Sequence, residues 1–167
     1  MTNKERMDII NDMVMIVDTR EKKWEHIRKY FEENNINYKV EKLDVADYSF
    51  ILPNYQYLNM DKRFLIEKKN SLDELAGNFT SGRDRFAREF ERMKEGQKIH
   101  LVLENFTWRK LLNKSYRSGF LPKSYMASLI AWSIKYDFPT WNVVPKDSGQ
   151  LIYEILKKEL EHELNKL

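Results

Sequence analysis

Short apolar runs, separated by stretches of helical spacing, set out the expected elements. Val14 to Val17 form an uninterrupted apolar run that stops at Asp18, as a buried strand does. Residues 22–34 place Trp24, Ile27, Tyr30 and Phe31 on one side of an amphipathic helix. Residues 36–43 alternate like a half-buried strand. Further β-rich stretches follow at 47–58 and 63–68, with Pro53 and Asn54 between apolar runs where a turn is favoured. Beyond Asn70 the spacing becomes helical: Ser71 opens a short helix carrying Leu72 and Leu75, and a longer one covers 82–94. A buried strand is predicted at 99–103, helices at 107–112 and 122–136, and a strand at 141–144. A closing helix runs from Ser148, with Ile152, Ile155, Leu156, Leu160 and Leu164 in one apolar stripe. The order β-α-β-β-β-α-β-α-β-α predicts an α/β fold of three layers, a mixed central sheet with helices on both sides. Residues 14–167 are expected to form a single domain, after a polar extension over 1–13.

Composition narrows the chemistry. With 42% hydrophobic residues and only 5 Gly and 4 Pro, the 167-residue chain can bury a substantial core. It has no Cys, which excludes a disulfide scaffold, a cysteine zinc site and thiol catalysis, and fits a reducing cytoplasm. The charged N-terminus has neither the apolar run of a signal peptide nor a membrane span, so a cytoplasmic location and no membrane partner are expected. His26, His100 and His162 lie on distant elements and do not form a histidine metal cluster in the sequence. The net charge of +3 carries weight only where positive side chains gather along a phosphate backbone.

The most informative stretch runs from Asp47 to Asp73. Glu67 and Lys69, two apart on a predicted strand, project from one face. If Asp47 lies on the neighbouring strand, its carboxylate meets Glu67 across the ladder. Two carboxylates suit Mg²⁺, which commonly takes one or two of them and keeps several waters. An ammonium beside that cation can hold a water and stabilise charge on a phosphate. The plainer reading makes Asp47 a turn residue and Glu67-Lys68-Lys69 a solvated strand end.

The surrounding residues resemble a known family. Ile66 to Asp73 is similar to the ERKxxxD signature of the XPF/Mus/Hef nuclease domains, with Lys68 in place of Arg. Val45-Ala46-Asp47-Tyr48 resembles their GDY, with Ala46 in place of Gly. Ile16 to Glu21 is similar to their VDxRE, and Ser81-Gly82-Arg83 looks like the Gly-Arg that opens their following helix. The resemblance implies a restriction-endonuclease-like fold of the PD-(D/E)XK superfamily. It implies a catalytic set of Asp18, Glu21, Asp47, Glu67, Lys69 and Asp73, with Mg²⁺ or Mn²⁺ on Asp47, Glu67 and Asp18. Branched or single-strand/double-strand junction DNA is the implied substrate, and pairing of two copies through the nuclease domain the implied assembly. A helix-hairpin-helix module commonly follows such domains and is not expected in this chain. Local alternatives remain: Asp18 to Glu21 has the form of a helix-capping box, and Asp73 that of an acid at a helix start.

Two basic stretches are candidates for the DNA contact. On helix 82–94, Phe86, Phe90 and Met93 should face the core while Arg85, Arg88 and Arg92 form a stripe elsewhere, against a background of Asp84, Glu89, Glu91 and Glu95. Arg20, Lys68 and Arg83 join them as expected phosphate contacts. Between Lys110 and Lys123, Lys114 and Arg117 are interleaved with Tyr116 and Phe120, which suits a single-stranded or distorted backbone and equally an ordinary loop. The reading these residues support is a metal-dependent DNA endonuclease. The competing readings are a non-catalytic DNA-binding or dimerisation module on the same scaffold, and a restriction or recombination nuclease of the wider superfamily.

Overall fold

The computed structural model describes residues 1–167. Its six strands are β1 (Val14–Val17), β2 (Tyr38–Val40), β3 (Tyr48–Ile51), β4 (Phe64–Lys69), β5 (Lys98–Glu104) and β6 (Thr140–Val143). They form one sheet in the order β2-β1-β3-β4-β5-β6. β3 runs antiparallel to both β1 and β4, while β1–β2, β4–β5 and β5–β6 are parallel, so the sheet is mixed as expected.

Helices cover both faces. On one side α1 (Asn3–Asn11), α2 (Glu25–Glu33) and α7 (Ser148–Leu164) pack Ile9, Ile10, Ile27, Phe31 and the α7 stripe against Met15, Val17, Phe50, Ile66 and Val102. On the other, α3 (Leu72–Phe79), α4 (Arg83–Glu91), α5 (Trp108–Leu112) and α6 (Pro122–Lys135) pack Leu75, Phe79, Phe86, Phe90, Leu111 and Trp132 against Leu65, Leu101 and Leu103. Successive strand residues point to opposite faces, which is why even-numbered β4 and β5 positions supply the first core and odd-numbered ones the second. No helix is long and apolar enough to cross a membrane.

Three segments differ from expectation. Residues 1–13, read as a polar extension, contain α1, which Thr2 and Glu5 start with a capping box. Its Ile9 and Ile10 are buried against the core. The Asp18–Glu21 segment does not cap a helix: α2 begins at Glu25 after Trp24, and no side chain caps it. The β-rich stretch at 47–58 is strand only over Tyr48–Ile51, and Gln56–Leu58 form a 3-10 turn beyond Pro53.

Candidate active site

The site forms where three strand ends meet. The Asp18 N–H at the end of β1 donates to the Asp47 carbonyl at 2.8 Å, and the Asp47 N–H donates to the Ile66 carbonyl at 2.9 Å. Tyr48 pairs with Ile66 across the antiparallel β3–β4 ladder, so Asp47, one residue earlier, lies opposite Glu67. Glu67 and Lys69 share that face by strand alternation. The Lys68 N–H donates to Asp47 Oδ2 at 2.8 Å and fixes the carboxylate against β4. Ala46 stands just before it at φ 68°. A residue with a side chain holds this left-handed conformation at a cost of roughly 1–2 kcal/mol, which a glycine would avoid.

Lys69 Nζ donates to Glu67 Oε1 at 2.5 Å and lies 5.0 Å from the centre of the Phe86 ring. Both side chains are nearly enclosed, and that enclosure sets their electrostatics. Burial pushes Asp47 well above the usual carboxylate range; the Glu67 charge adds to the rise and Lys69 opposes it. Burial likewise raises Glu67 against the pull of Lys69. For Lys69, burial favours the neutral amine, but Glu67 and Asp47 outweigh it and hold the ammonium above its ordinary value.

These three residues line a cavity of about 280 Å³ with Arg20, Val45, Ala46, Arg85, Glu89 and Arg92. Arg20 is tied to the rim: its Nε donates to Asp18 Oδ1 at 2.7 Å and its Nη2 to the Leu43 carbonyl at 3.0 Å. Glu89 was not foreseen as a site residue. It sits on the same side of α4 as Arg85 and Arg92, and its negative charge bears on both Arg20 and Glu67. The i, i+4 and i, i+3 spacing from those arginines was the available signal. A larger hollow of about 530 Å³ between β6 and α7 is lined by Lys98, His100, Trp141 and Glu159 among others. It lacks paired free carboxylates, because Glu159 is already engaged by Lys98 and His100. The smaller cavity is the one that holds the carboxylate pair and the lysine.

The remaining expected site residues are placed elsewhere. The Asp18 carboxylate is occupied by Arg20 and by the Leu43 N–H at 2.6 Å. Burial acts to raise it, and those hydrogen bonds outweigh burial and leave it lowered. It braces the rim instead of opening into the cavity with Asp47 and Glu67. Glu21 turns to the other face of the sheet, accepting from the Tyr48 hydroxyl at 3.2 Å and lying 3.5 Å from Lys68 Nζ. Lys68, expected at the DNA surface, is fully enclosed; its Nζ donates to the Lys23 carbonyl and to Asn70. Strand alternation sends it away from Lys69, so it has no path to a phosphate on the cavity side. Arg83 lies over Trp132 and donates to the Phe79 carbonyl, and Arg88 is exposed outside the cavity lining. Asp73 accepts from the Arg117 and Ser118 N–H groups, away from the carboxylate pair.

The donor set fits a hard divalent cation. Asp47 and Glu67 offer carboxylate oxygens from facing strand positions, and two carboxylates are the number Mg²⁺ commonly takes. No group of three or more acidic or histidine side chains is gathered closely enough to hold a metal, so a cation on Asp47 and Glu67 would take its other oxygens from water, backbone carbonyls or a phosphate. Asp18, the third ligand the resemblance implied, has its carboxylate on Arg20 and the Leu43 N–H.

Fold and site together define an XPF-type nuclease domain. The chain belongs to the ERCC4 domain family, whose model matches residues 17–155. Among solved structures it is similar to XPF from Aeropyrum pernix, with a TM-score of 0.64 and 18% identity over 87% of this chain and 64% of that one. It is also similar to XPF from Aeropyrum pernix in complex with DNA, with a TM-score of 0.62 and 20% identity over 87% of this chain and 63% of that one. The chain thus spans less than two thirds of either. No curated protein matches the sequence.

Proposed function

We propose that this chain is a divalent-metal-dependent endonuclease that hydrolyses phosphodiester bonds in DNA at branched or single-strand/double-strand junctions. The observation that carries the reading is the pairing of Asp47 with Glu67 across β3 and β4, with the Lys69 ammonium on Glu67 in a cavity rimmed by arginines. Asp47 and Glu67 would hold Mg²⁺ or Mn²⁺. When bound, the cation supplies Lewis-acid polarisation of the phosphoryl group and makes water a better nucleophile at neutral pH. Lys69 keeps its proton beside the two carboxylates, so it acts as a hydrogen-bond donor that orients water and steadies charge on the phosphoryl oxygens. Arg20, Arg85 and Arg92 at the cavity rim draw in and align the backbone.

Junction preference and homodimerisation rest on the family resemblance; the DNA complex of the A. pernix protein supports DNA as the partner. A dimer would not use the apolar stripe of α7, because Ile152, Ile155, Leu156, Leu160 and Leu164 are all consumed by the core.

The test is incubation of labelled flap, fork and linear duplex DNA with Mg²⁺, Mn²⁺ or EDTA. Metal-dependent nicking is expected, lost in Asp47→Ala and Glu67→Ala while binding persists. Equal binding with no cutting under any metal would establish the non-catalytic module instead.

A further inference from the structure

The region from Asn105 to Tyr136, comprising α5, α6 and the loop between them, contains Arg109, Lys110, Lys114, Arg117, Lys123 and Lys135 and not one Asp or Glu. With 26 acids in 167 residues, a stretch of this length would hold about five if charges were mixed evenly. All six cations are exposed, and none pairs with a carboxylate. Elsewhere the exposed lysines and arginines are often matched, as in Arg28–Glu25, Lys39–Glu41 and Lys158–Glu161. A protein of net charge +3 therefore carries a segregated block of six positive charges.

The block is shaped and placed. Lys114 Nζ donates to the Ser118 carbonyl and sits over the Tyr116 ring, whose hydroxyl donates to the Phe120 carbonyl. Asp73 Oδ1 accepts from the Arg117 N–H at 2.8 Å and the Ser118 N–H at 2.7 Å, fastening the loop to the start of α3. Asp73 follows Lys69 by four residues, and Asn105 Nδ2 reaches the Asn70 carbonyl at 3.5 Å. Lys69 pairs with Leu103 in the parallel β4–β5 ladder, so the block begins at the same end of these two strands as Lys69. Tyr116 and Phe120 pack against Tyr125, which removes them as platforms for bases. The charges the loop presents are all positive, beside the exposed Leu121.

We propose that the acid-free α5–α6 region, anchored by Asp73, is a second DNA surface that grips the phosphate backbone of a duplex arm without reading its bases. This rests on the nuclease reading above and extends it: α4 and Arg20 hold the strand to be cut, while Lys114, Arg117 and Lys123 hold the duplex beyond it. Asp73 acts as a positioning residue for that grip.

The experiment measures binding of a labelled duplex in EDTA across a KCl series. The Lys114→Gln, Arg117→Gln, Lys123→Gln protein should show a plot of log affinity against log salt shallower by about two to three than the unsubstituted chain. Asp73→Ala should lose part of the slope, and Asp73→Asn, which keeps an acceptor oxygen, should restore it. An unchanged slope in the triple variant overturns the surface and leaves the nuclease reading standing; an unchanged slope in Asp73→Ala removes the anchor. An unsubstituted chain that binds no duplex at any salt overturns the surface, and one that also binds neither flap nor fork DNA overturns the nuclease reading with it. On the unsubstituted protein, duplex should also protect Lys114 and Lys123 from acetylation, and equal labelling with and without DNA overturns the proposal independently of how the variants fold.

Discussion

Lys68 and Lys69 are neighbours in β4, yet their ammonium groups end on opposite faces of the sheet. Lys69 meets Glu67 in the cavity, while Lys68 is enclosed with Glu21, Asn70 and the Lys23 carbonyl. Two lysines of one motif therefore do different work. Lys69→Ala should lower turnover by about 10²–10³, the usual cost of removing a donor aimed at developing charge, with little change in DNA affinity. Lys68→Ala leaves the enclosed Glu21 carboxylate without its cation, though still accepting from Tyr48, and should destabilise the fold by about 3 kcal/mol. Denaturant melts and single-turnover kinetics on both variants separate the two roles, and a Lys69 variant that loses only binding would contradict the assignment.

Asp47 should couple cation binding to pH. Burial first, and the Glu67 charge second, raise its folded-state value well above that of an unfolded Asp. The sign follows: stability from the protonated acid is fully present below the unfolded value and is lost as pH rises through the raised folded one. The metal-free protein should lose stability over that rise, and Asp47→Asn should flatten the profile. Because the proton must leave before the carboxylate ligates, Mg²⁺ affinity should increase with pH over the same window. Calorimetry in buffers of different ionisation heat checks it; no proton release on Mg²⁺ binding would mean Asp47 is already ionised.

Arg85 and Arg92 line the cavity, whereas Arg88 on the same helix does not, and Glu89 stands between them. Arg85→Ala and Arg92→Ala should each make the salt dependence of DNA affinity shallower by about one, and Arg88→Ala should change it less. Glu89→Gln removes a negative charge from the path of the phosphate. DNA binding in EDTA should tighten severalfold while Mg²⁺ binding weakens. Equal slopes for all three arginine variants would mean that the whole exposed side of α4, and not the cavity rim, meets DNA.

The strands Val14–Val17, Phe64–Lys69 and Lys98–Glu104 and the long α7 were legible because each is either an unbroken apolar run or a sustained helical stripe. The facing of Asp47 with Glu67 was legible as well, since two-residue periodicity and one hairpin register decide it. α1 was not, because only Ile9 and Ile10 mark its buried side amid polar residues. Alternation alone turns Lys68 away from Lys69, but its enclosure and the entry of Glu89 into the cavity depend on which helix covers which face, and no local period encodes that. Asp73 illustrates the same limit: its motif suggested the catalytic centre, and only the return of the 113–121 loop gives its carboxylate partners.

Gly149 supplies a stability test with a geometric cause. A Cβ added there would stand 2.6 Å from the Tyr30 Cβ and 2.9 Å from its Cγ, closer than packed carbons allow. The clash is with the root of the Tyr30 side chain, which cannot swing aside, so α2 and α7 must part. Next to this contact, Glu104 accepts from Ser148 and meets His26, joining β5, α7 and α2 at one buried point. Separation of the helices therefore disturbs a polar junction as well as an apolar seam. Gly149→Ala gains up to about 1 kcal/mol of helix propensity. Overpacking commonly costs about 1–3 kcal/mol, and the rigid neighbour puts this site at the upper end. Net destabilisation of about 1–2 kcal/mol is expected in urea unfolding. A midpoint that stays level or rises would mean the two helices separate at no cost, and that Gly149 does not set their approach.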